Sequence, residues 1–264
     1  MQRRTLIKLL TIGGAGIGGA GAIGVGGRSF AAAIASENHA EWGYVGAKDS
    51  THWGDLSAEY QACKVGQQQS PVNLQKAIKA EPSPLQIAYH DIPLRVLNNG
   101  HTIQINAAPG NQITLNGSVY ELTQFHFHHP SEHHLVSKTY PMELHLVHKD
   151  STGALAVLGI FLQAGRENDV LKPIWAAMPS KKQPEKVVTG AKVSIARLLP
   201  KGREAYEYFG SLTTPPCSEI VNWVVFHDPI EVSQSQIDQF KQIFSLNARP
   251  IQPLSHRFIL DAQS

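Results

Sequence analysis

The apolar and polar residues of this chain form many short segments that alternate in polarity or are rich in β-branched residues. Asparagine, glycine and proline separate these segments, which is typical of strands joined by turns. Eight strands are predicted, over residues 85–90, 94–99, 101–106, 112–116, 119–129, 143–149, 155–165 and 219–228. Helical patterns cover only residues 170–179 and 233–245. The pattern therefore predicts a mainly β fold: one large, mostly antiparallel central sheet with a few short peripheral helices.

The first 35 residues have the features of a targeting segment. Arg3 and Arg4 open it, an uncharged run of 19 residues with nine glycines follows from Leu9 to Gly27, and residues 33–35 (Ala-Ile-Ala) fit a small-x-small cleavage site. So many glycines make the run a poor transmembrane helix. The segment resembles a bacterial twin-arginine export peptide. It predicts a periplasmic or secreted protein without a stable membrane span once residues 1–35 are removed, with an uncleaved anchor as the alternative.

Residues 36–264 show neither an internal repeat nor a linker-like composition, which favours one folded domain over this range. The chain has 23 basic and 21 acidic residues, but four of the basic residues and none of the acidic ones lie in residues 1–35. The rest of the chain then has 19 basic against 21 acidic residues. The sequence has no basic patch, so nothing suggests nucleic acid as a partner. The composition leaves the oligomeric state open.

Cys63 and Cys217 are the two cysteines of the chain. In an exported protein a disulfide between them is the leading interpretation. Two free buried thiols are the alternative, and the spacing of the cysteines does not decide between them.

Five histidines lie between residues 126 and 134. Side chains on a strand point alternately to opposite faces. On the predicted strand 119–129, His126 and His128 therefore share a face with Gln124, whereas His129 points the other way. The other two histidines of the run lie beyond a proline, in the connection to the next segment.

The next predicted strand, 143–149, repeats this arrangement, because Glu143 and His145 share a face. If the two strands are neighbours, His145 completes a cluster of three histidines. Three histidine ligands leave a fourth position open, as in catalytic rather than structural zinc sites. Gln124 and Glu143 each precede a candidate ligand by two residues, where their oxygens can accept the outer N–H of an imidazole.

Two other interpretations of the histidines remain open at this point. An H-x-H pair on a surface strand is compatible with no metal at all. The same run also contains H-x-H-x3-E, part of the cupin metal-binding pattern, which would make Glu132 a ligand of manganese or iron. The glycines that flank the cupin pattern are replaced here by Tyr120 and Thr139, so that match is partial.

Seven motifs, in this order, closely resemble the α-class carbonic anhydrases. They are HWGDL (52–56), QSPVNL (69–74), LNNGH (97–101), QFHFHHPSEHH (124–134), ELHLVH (143–148), LAVLGIF (155–161) and SLTTPPCSE (211–219). The resemblance runs from about residue 41 to 260. It implies a twisted sheet of about ten strands, a zinc ion at the base of a cone-shaped cleft, and reversible hydration of carbon dioxide to bicarbonate and a proton.

The resemblance also implies a role for individual residues. The zinc ligands would be His126, His128 and His145, with Gln124 and Glu143 holding their outer N–H groups. Thr213 would hydrogen-bond the zinc-bound hydroxide, Glu132 would accept the proton of the Thr213 hydroxyl, and His101 would shuttle protons. The apolar wall that receives carbon dioxide would consist of Val147, Val157, Leu212, Val221 and Trp223. The polar residues that order water in the cleft would be Tyr44, Asn98 and Thr214, of which Thr214 would also contact the substrate.

Cys63 and Cys217 match the disulfide of secreted members of the family, and the peptide bonds before Pro71 and Pro216 match cis bonds. The chain departs from the best-known animal members where His129 and His148 replace tryptophan and where Gln104 replaces a cleft asparagine. A non-catalytic binding module on the same fold is a further alternative. Such modules typically lose a ligand histidine, and none is missing here.

Overall fold

The computed structural model describes residues 40–262 of the chain. Its strands are β1 (Asn73–Leu74), β2 (Ile78–Ala80), β3 (Leu85–Ala88), β4 (Asp91–Asn98), β5 (Ile103–Asn106), β6 (Gln112–Leu115), β7 (Ser118–His128), β8 (His134–Leu135), β9 (Met142–Lys149), β10 (Leu155–Ala164), β11 (Gln183–Ser194), β12 (Ala205–Gly210), β13 (Val221–Phe226), β14 (Ile230–Val232) and β15 (Leu260–Ala262). Its α-helices are α1 (Trp53–Leu56), α2 (Ala62–Val65), α3 (Lys172–Ala177) and α4 (Gln234–Ile243). Short 3₁₀ helices cover Gly46–Lys48, Ala58–Tyr60 and Ile195–Leu198.

The predicted targeting segment, residues 1–35, lies outside the described residues, so its cleavage and the domain boundary at residue 36 stay predictions. Within residues 40–262 no helix is long and apolar enough to cross a membrane.

Ten strands follow one another across the main sheet, in the order β11–β4–β5–β7–β9–β10–β13–β12–β15–β2. In addition, β14 pairs with β10, and β3 and β6 pair with each other beside β7. Most neighbours are antiparallel, but β10 runs parallel to β13 and β14, and β15 runs parallel to β2. The predicted mainly β fold, with a mostly antiparallel sheet of about ten strands and short helices, is therefore confirmed, although the sheet is mixed and larger.

All eight predicted strands are present, with ends that differ from the prediction by at most three residues. The longest strand that the pattern missed is β11. It lies at one edge of the sheet and leaves most of its side chains exposed. A strand that buries neither face shows little apolar alternation, so its sequence, QPEKVVTGAKVS, carried no strand signal.

Both predicted helices are present but shorter than predicted. The predicted helix 233–245 is α4, where Ser233 and Gln236 form a capping box at its start. Ile237 and Phe240, which share one face of α4, are buried. Phe244 lies one residue beyond the helix and is only partly buried.

A β-bulge in β7 decides which of its residues face the larger core. Leu122 is buried in that core, and strict alternation would send His126 there as well. The pairing with β9 shifts register between Leu122 and Gln124, which leaves Thr123 as an extra residue in the strand. Beyond the bulge, Phe125 takes the core position, and His126 faces the opposite side of the sheet.

The Cys63 and Cys217 sulfurs form a disulfide. This confirms the predicted pairing and excludes two free thiols. The peptide bonds before Pro71 and Pro216 are cis, as the resemblance implies, and so is the bond before Pro130, which was not predicted.

Candidate metal centre

The antiparallel pairing of β7 with β9 brings three histidines together on one face of the sheet. His126 lies directly opposite His145, and His128 follows two residues along β7. The ring centroids are 4.6 to 5.4 Å apart, and one ring nitrogen from each residue lies within 4.8 Å of the other two. His128 and His145 are buried and His126 is half-buried. The predicted ligands therefore form one compact group.

The outer nitrogen of each imidazole has a hydrogen-bond acceptor of its own. His126 Nδ1 lies 2.9 Å from Gln124 Oε1, and His145 Nε2 lies 2.8 Å from Glu143 Oε1, as the two-residue spacing predicts. His128 Nδ1 lies 2.7 Å from the backbone carbonyl of Asn247. These acceptors fix a proton on each outer nitrogen, so the lone pairs are left on His126 Nε2, His128 Nε2 and His145 Nδ1.

This donor set fits a zinc ion. Buried polar atoms nearly always have a hydrogen-bond partner, yet His128 Nε2 has none among the described residues. Burial lowers the pKa of all three imidazoles, which favours the neutral form that binds a metal. Three neutral nitrogens without a thiolate are typical of catalytic zinc sites.

Glu143 organises a buried network behind this group. Its Oε1 accepts from His145 and also lies 2.7 Å from His133 Nδ1, while Oε2 accepts from the backbone N–H groups of Glu132 and His133. His133 Nε2 in turn lies 2.7 Å from the Tyr208 hydroxyl. Burial alone would raise the pKa of Glu143, but His133 and His145 hold it well below its usual range. The network therefore keeps an ionised acceptor beside His145.

Glu132 reaches the group from the connection after β7. Its Oε2 lies 3.4 Å from His128 Nε2 and 3.8 Å from His145 Nδ1, and its Oε1 accepts the Arg249 backbone N–H at 2.9 Å. Burial raises the pKa of Glu132 to about 7, and His145, the Arg249 N–H and the nearby Thr213 side chain lower it in part. The structure thus places the predicted pair, Glu132 and Thr213, beside the histidines.

A cleft of about 120 Å³ opens onto His126 and His128. The predicted residues Tyr44, His101, Gln104, Gln124 and Thr214 all line it. The His101 ring is stacked on the Trp42 ring, with centroids 3.6 Å apart. Burial and then the charge of Lys182 lower the pKa of His101. His101 therefore lies at the cleft and is partly exposed, as a proton carrier must be.

The prediction that Asn98 orders water in the cleft is wrong. Asn98 is 2% exposed, and its side chain bonds the Pro179 carbonyl and the Gly100 N–H. Asn99 lines the cleft instead. Asn98 is the last residue of β4 and its side chain points into the protein, so the next residue faces the cleft.

The five predicted wall residues belong to one apolar cluster on the histidine side of the sheet. Val157 pairs with both Val147 and Trp223 across neighbouring strands, and the Trp223 ring lies 4.9 Å from the His145 ring. Val221 is fully buried in the same cluster, and Leu212 packs against it. An apolar surface therefore adjoins the metal ligands.

His129 and His148 do not join the metal group. His129 follows the end of β7, where its Nδ1 lies 3.0 Å from the Ser245 carbonyl. His148 is fully buried on the core side of β9, 2.7 Å from the Tyr89 hydroxyl and 3.1 Å from the Ala156 carbonyl. Both ring nitrogens of His148 therefore have a hydrogen-bond partner, and so does Nδ1 of His129.

The buried His148 is expected to make stability depend on pH. Burial lowers the pKa of His148 to about 4, against about 6.5 in an unfolded chain. Below pH 6.5 the unfolded chain therefore binds a proton that the folded chain does not, and stability falls by about 3 kcal/mol between pH 6.5 and pH 4. Urea unfolding over this range should show a steeper loss for wild type than for His148→Gln. The same change at the exposed His256 controls for the loss of a histidine as such; equal slopes for wild type and His148→Gln would contradict the expectation.

Four residues of the site were not found from the sequence: Trp42, Asn247, Tyr208 and Arg249. Asn247 lies 119 residues from the His128 that it contacts. It makes this contact through its backbone carbonyl, a group that every residue has. Trp42 and Tyr208 read as ordinary apolar positions. No pattern in the sequence could have identified these contacts.

Comparison with known proteins agrees with this geometry. A family model described as eukaryotic-type carbonic anhydrase matches residues 48–263. A carbonic anhydrase of Nostoc sp. is 41% identical in an alignment of 270 residues that covers 99% of this chain and 98% of that protein. A carbonic anhydrase of Pectobacterium carotovorum is 42% identical over 233 residues, or 88% of this chain and 94% of its own.

Solved structures give the same answer. The α-carbonic anhydrase of Thermovibrio ammonificans, in complex with the inhibitor sulfanilamide, superposes with a TM-score of 0.81 at 43% identity. The superposition covers 84% of this chain and 100% of that one. Matches of this extent exclude the cupin alternative. The chain therefore belongs to the eukaryotic-type, or α-class, carbonic anhydrase family.

Proposed function

We propose that this protein is a zinc-dependent carbonic anhydrase that converts carbon dioxide and water reversibly to bicarbonate and a proton. The observation that carries the proposal is the convergence of His126, His128 and His145, with the buried His128 Nε2 left without a hydrogen-bond partner among the described residues. The chain belongs to a family whose members bear the name of this activity. All three ligand histidines are present, which argues against a non-catalytic module.

Zinc at this site would be held by His126 Nε2, His128 Nε2 and His145 Nδ1. When bound, it supplies a Lewis acid that makes water a usable nucleophile at neutral pH. The outer acceptors Gln124, Glu143 and the Asn247 carbonyl fix the tautomer and rotation of each imidazole, and burial keeps the rings neutral.

Thr213 and Glu132 would set the direction of attack. A hydroxyl has one proton and two lone pairs. Because Glu132 offers an acceptor for that proton, Thr213 Oγ1 keeps its lone pairs for a hydrogen bond donated by the attacking water. That water then has one orientation instead of several.

The apolar wall would receive carbon dioxide, and His101 would pass on the proton that the reaction releases. Carbon dioxide has neither net charge nor dipole, so the surface formed by Val157, Val221 and Trp223 suits it better than a polar one. The reaction also releases a proton, and a partly exposed imidazole can pass it to solvent.

A stopped-flow assay of carbon dioxide hydration tests the proposal. The rate is expected to rise in proportion to bound zinc, up to one ion per chain, and to fall to background after chelation. A zinc-loaded sample that shows no hydration above background would falsify it. Spectroscopy of the bound metal should find three nitrogen ligands and no carboxylate oxygen, because Glu132 is assigned to Thr213.

Replacing His101 with alanine is expected to slow turnover by up to about a hundredfold in weak buffer, the low end for a lost acid–base group, while bound zinc stays unchanged. The reason is that proton release then depends on water alone. Added imidazole should restore much of the rate, because it supplies the missing base. The exposed His256→Ala serves as the control, with no loss expected. A silent His101→Ala in weak buffer would show that this residue is not the shuttle.

We also propose that the chain is exported by the twin-arginine route. The motif Arg3–Arg4, the glycine-rich run behind it and the disulfide Cys63–Cys217 support this. In a bacterial host with that pathway, the processed protein is expected in the periplasm. Replacing Arg3 and Arg4 together with lysine should keep it in the cytoplasm as the longer form, and unchanged export of this variant would count against the route.

A further inference from the structure

Arg249 is a charged side chain in the interior of the protein, only 2% exposed. Its guanidinium donates to three oxygens: Nη1 lies 2.8 Å from Gln69 Oε1 and 2.8 Å from the Ser70 carbonyl, and Nη2 lies 3.0 Å from the Cys63 carbonyl. All three acceptors are neutral. Burying a full charge against neutral groups is costly, so this arginine calls for an explanation.

The three acceptors belong to segments that hold the loop carrying Thr213. Cys63 is bonded through its sulfur to Cys217, four residues after Thr213. Gln69 Nε2 donates to the Cys217 carbonyl at 3.0 Å. The segment from Cys63 to Gln69 is thus joined at two points to Cys217, and Arg249 bonds to both Cys63 and Gln69.

Ser70 holds the other end of that loop. Its backbone N–H donates to Ser211 Oγ at 2.9 Å, and the Ser211 N–H donates back to Ser70 Oγ at 3.1 Å. Ser211 precedes Thr213 by two residues. The Arg249 side chain therefore contacts the anchors of the loop both before and after Thr213.

The backbone N–H of Arg249 holds Glu132, the other member of the Thr213–Glu132 pair. The Arg249 N–H donates to Glu132 Oε1 at 2.9 Å, while Glu132 Oε2 faces His128. We infer that Arg249 is a positioning residue for the reaction: its N–H fixes the Glu132 carboxylate while its side chain fixes the loop of Thr213 against it. This inference rests on the proposed function, because the pair matters only if Thr213 orients the nucleophile.

A planar guanidinium suits this task because it presents several N–H groups at fixed angles. A lysine ammonium is a compact charge that cannot reach the same three carbonyl oxygens together. Arg249→Lys is therefore expected to lower kcat/KM about tenfold, in the range of outer partners that orient a site. Bound zinc should stay at one per chain, because no metal ligand is touched.

Arg257→Lys provides a matched control. Arg257 is also partly buried, and its Nη2 donates to the Gln69 carbonyl at 2.7 Å, while another guanidinium N–H reaches the Phe209 carbonyl. Its side chain makes no hydrogen bond to Glu132 within the described residues. The control is expected to lower the melting temperature as Arg249→Lys does, but to leave kcat/KM within about twofold of wild type, since within residues 40–262 its hydrogen bonds go to the carbonyls of Gln69, Phe209, Pro253 and Leu254 and to neither Glu132 nor Cys63.

A double-mutant cycle separates positioning from general stabilisation. In a Thr213→Val background, Arg249→Lys should cost less than about twofold, because the hydroxyl that it positions is gone. A merely structural role would cost the same factor in both backgrounds, and that result would overturn the inference. If Arg249→Lys does not fold, Gln69→Met removes the same anchor from the loop and should show the same non-additivity.

Amide hydrogen exchange gives a readout that does not need activity. Arg249→Lys should speed exchange of the loop amides of Leu212 and Cys217, which bond to Ser218 and Thr214 carbonyls, while Arg257→Lys should not. Unchanged exchange in this loop would overturn the inference. Absence of hydration in wild type would instead refute the proposed function, and the exchange result would still decide whether Arg249 holds the loop.

Discussion

His145→Ala is expected to lose zinc and carbon dioxide hydration together. His145 is the one ligand that comes from β9, and its Nδ1 completes the group of three nitrogens. If an apparent zinc-binding free energy of ~10 kcal/mol is shared among three ligands, the loss of one weakens binding by about 3 kcal/mol, or roughly a hundredfold. Zinc content after dialysis against a weak chelator, measured beside the hydration rate, checks this.

His129→Ala is the matched control for that experiment. It removes a histidine from the same stretch of sequence, but one that bonds the Ser245 carbonyl and not the metal group. Zinc and activity should both survive. If His145→Ala kept one zinc per chain, the ion would have to lie elsewhere, and the assignment of the centre would be abandoned.

Thr213→Val is expected to lower kcat/KM about a hundredfold while zinc remains bound. Valine keeps the shape of threonine and removes only the hydroxyl, so the attacking water loses its orienting acceptor. Glu132→Gln should produce a loss of similar size, because an amide can offer its NH₂ group instead of an acceptor. The two changes together should cost little more than either alone, since they break one hydrogen-bonded unit.

The exposed Thr189 on β11 supplies the control, because Thr189→Val changes the same atoms far from the site. Its kinetics should match wild type. If Thr213→Val and Glu132→Gln multiplied to the product of their separate losses, the two residues would act independently, and the proposed coupling between them would be wrong.

The sequence predicted best those parts of the site that lie close together along the chain. The spacing of His126 and His128 fixes a shared face, and the two-residue offsets of Gln124 and Glu143 follow from the same geometry. Whether β7 and β9 pair at all depends on register, which alternation suggests but does not determine. The structure shows the register, in which His126 lies opposite His145.

The parts that the sequence could not predict depend on distant segments or on backbone atoms. The carbonyl of Asn247 and the N–H of Arg249 contact the site through groups that every residue shares. The error at Asn98 has a different cause. That assignment came from the resemblance, whose motif LNNGH contains two adjacent asparagines, and the neighbouring Asn99 is the one that lines the cleft.

The bulge at Thr123 puts the two halves of β7 out of phase with each other. If the strand kept all its residues but ran without the bulge, the aromatic residues at 125 and 127 would exchange sides with the histidines at 126 and 128. Imidazoles would then be packed into the hydrocarbon interior, and phenyl rings would fill the cleft. A point substitution in this strand alters one side chain, whereas a one-residue change in length alters all of them. The strand should therefore accept many changes of composition but no insertion or deletion of a single residue between the bulge and His128.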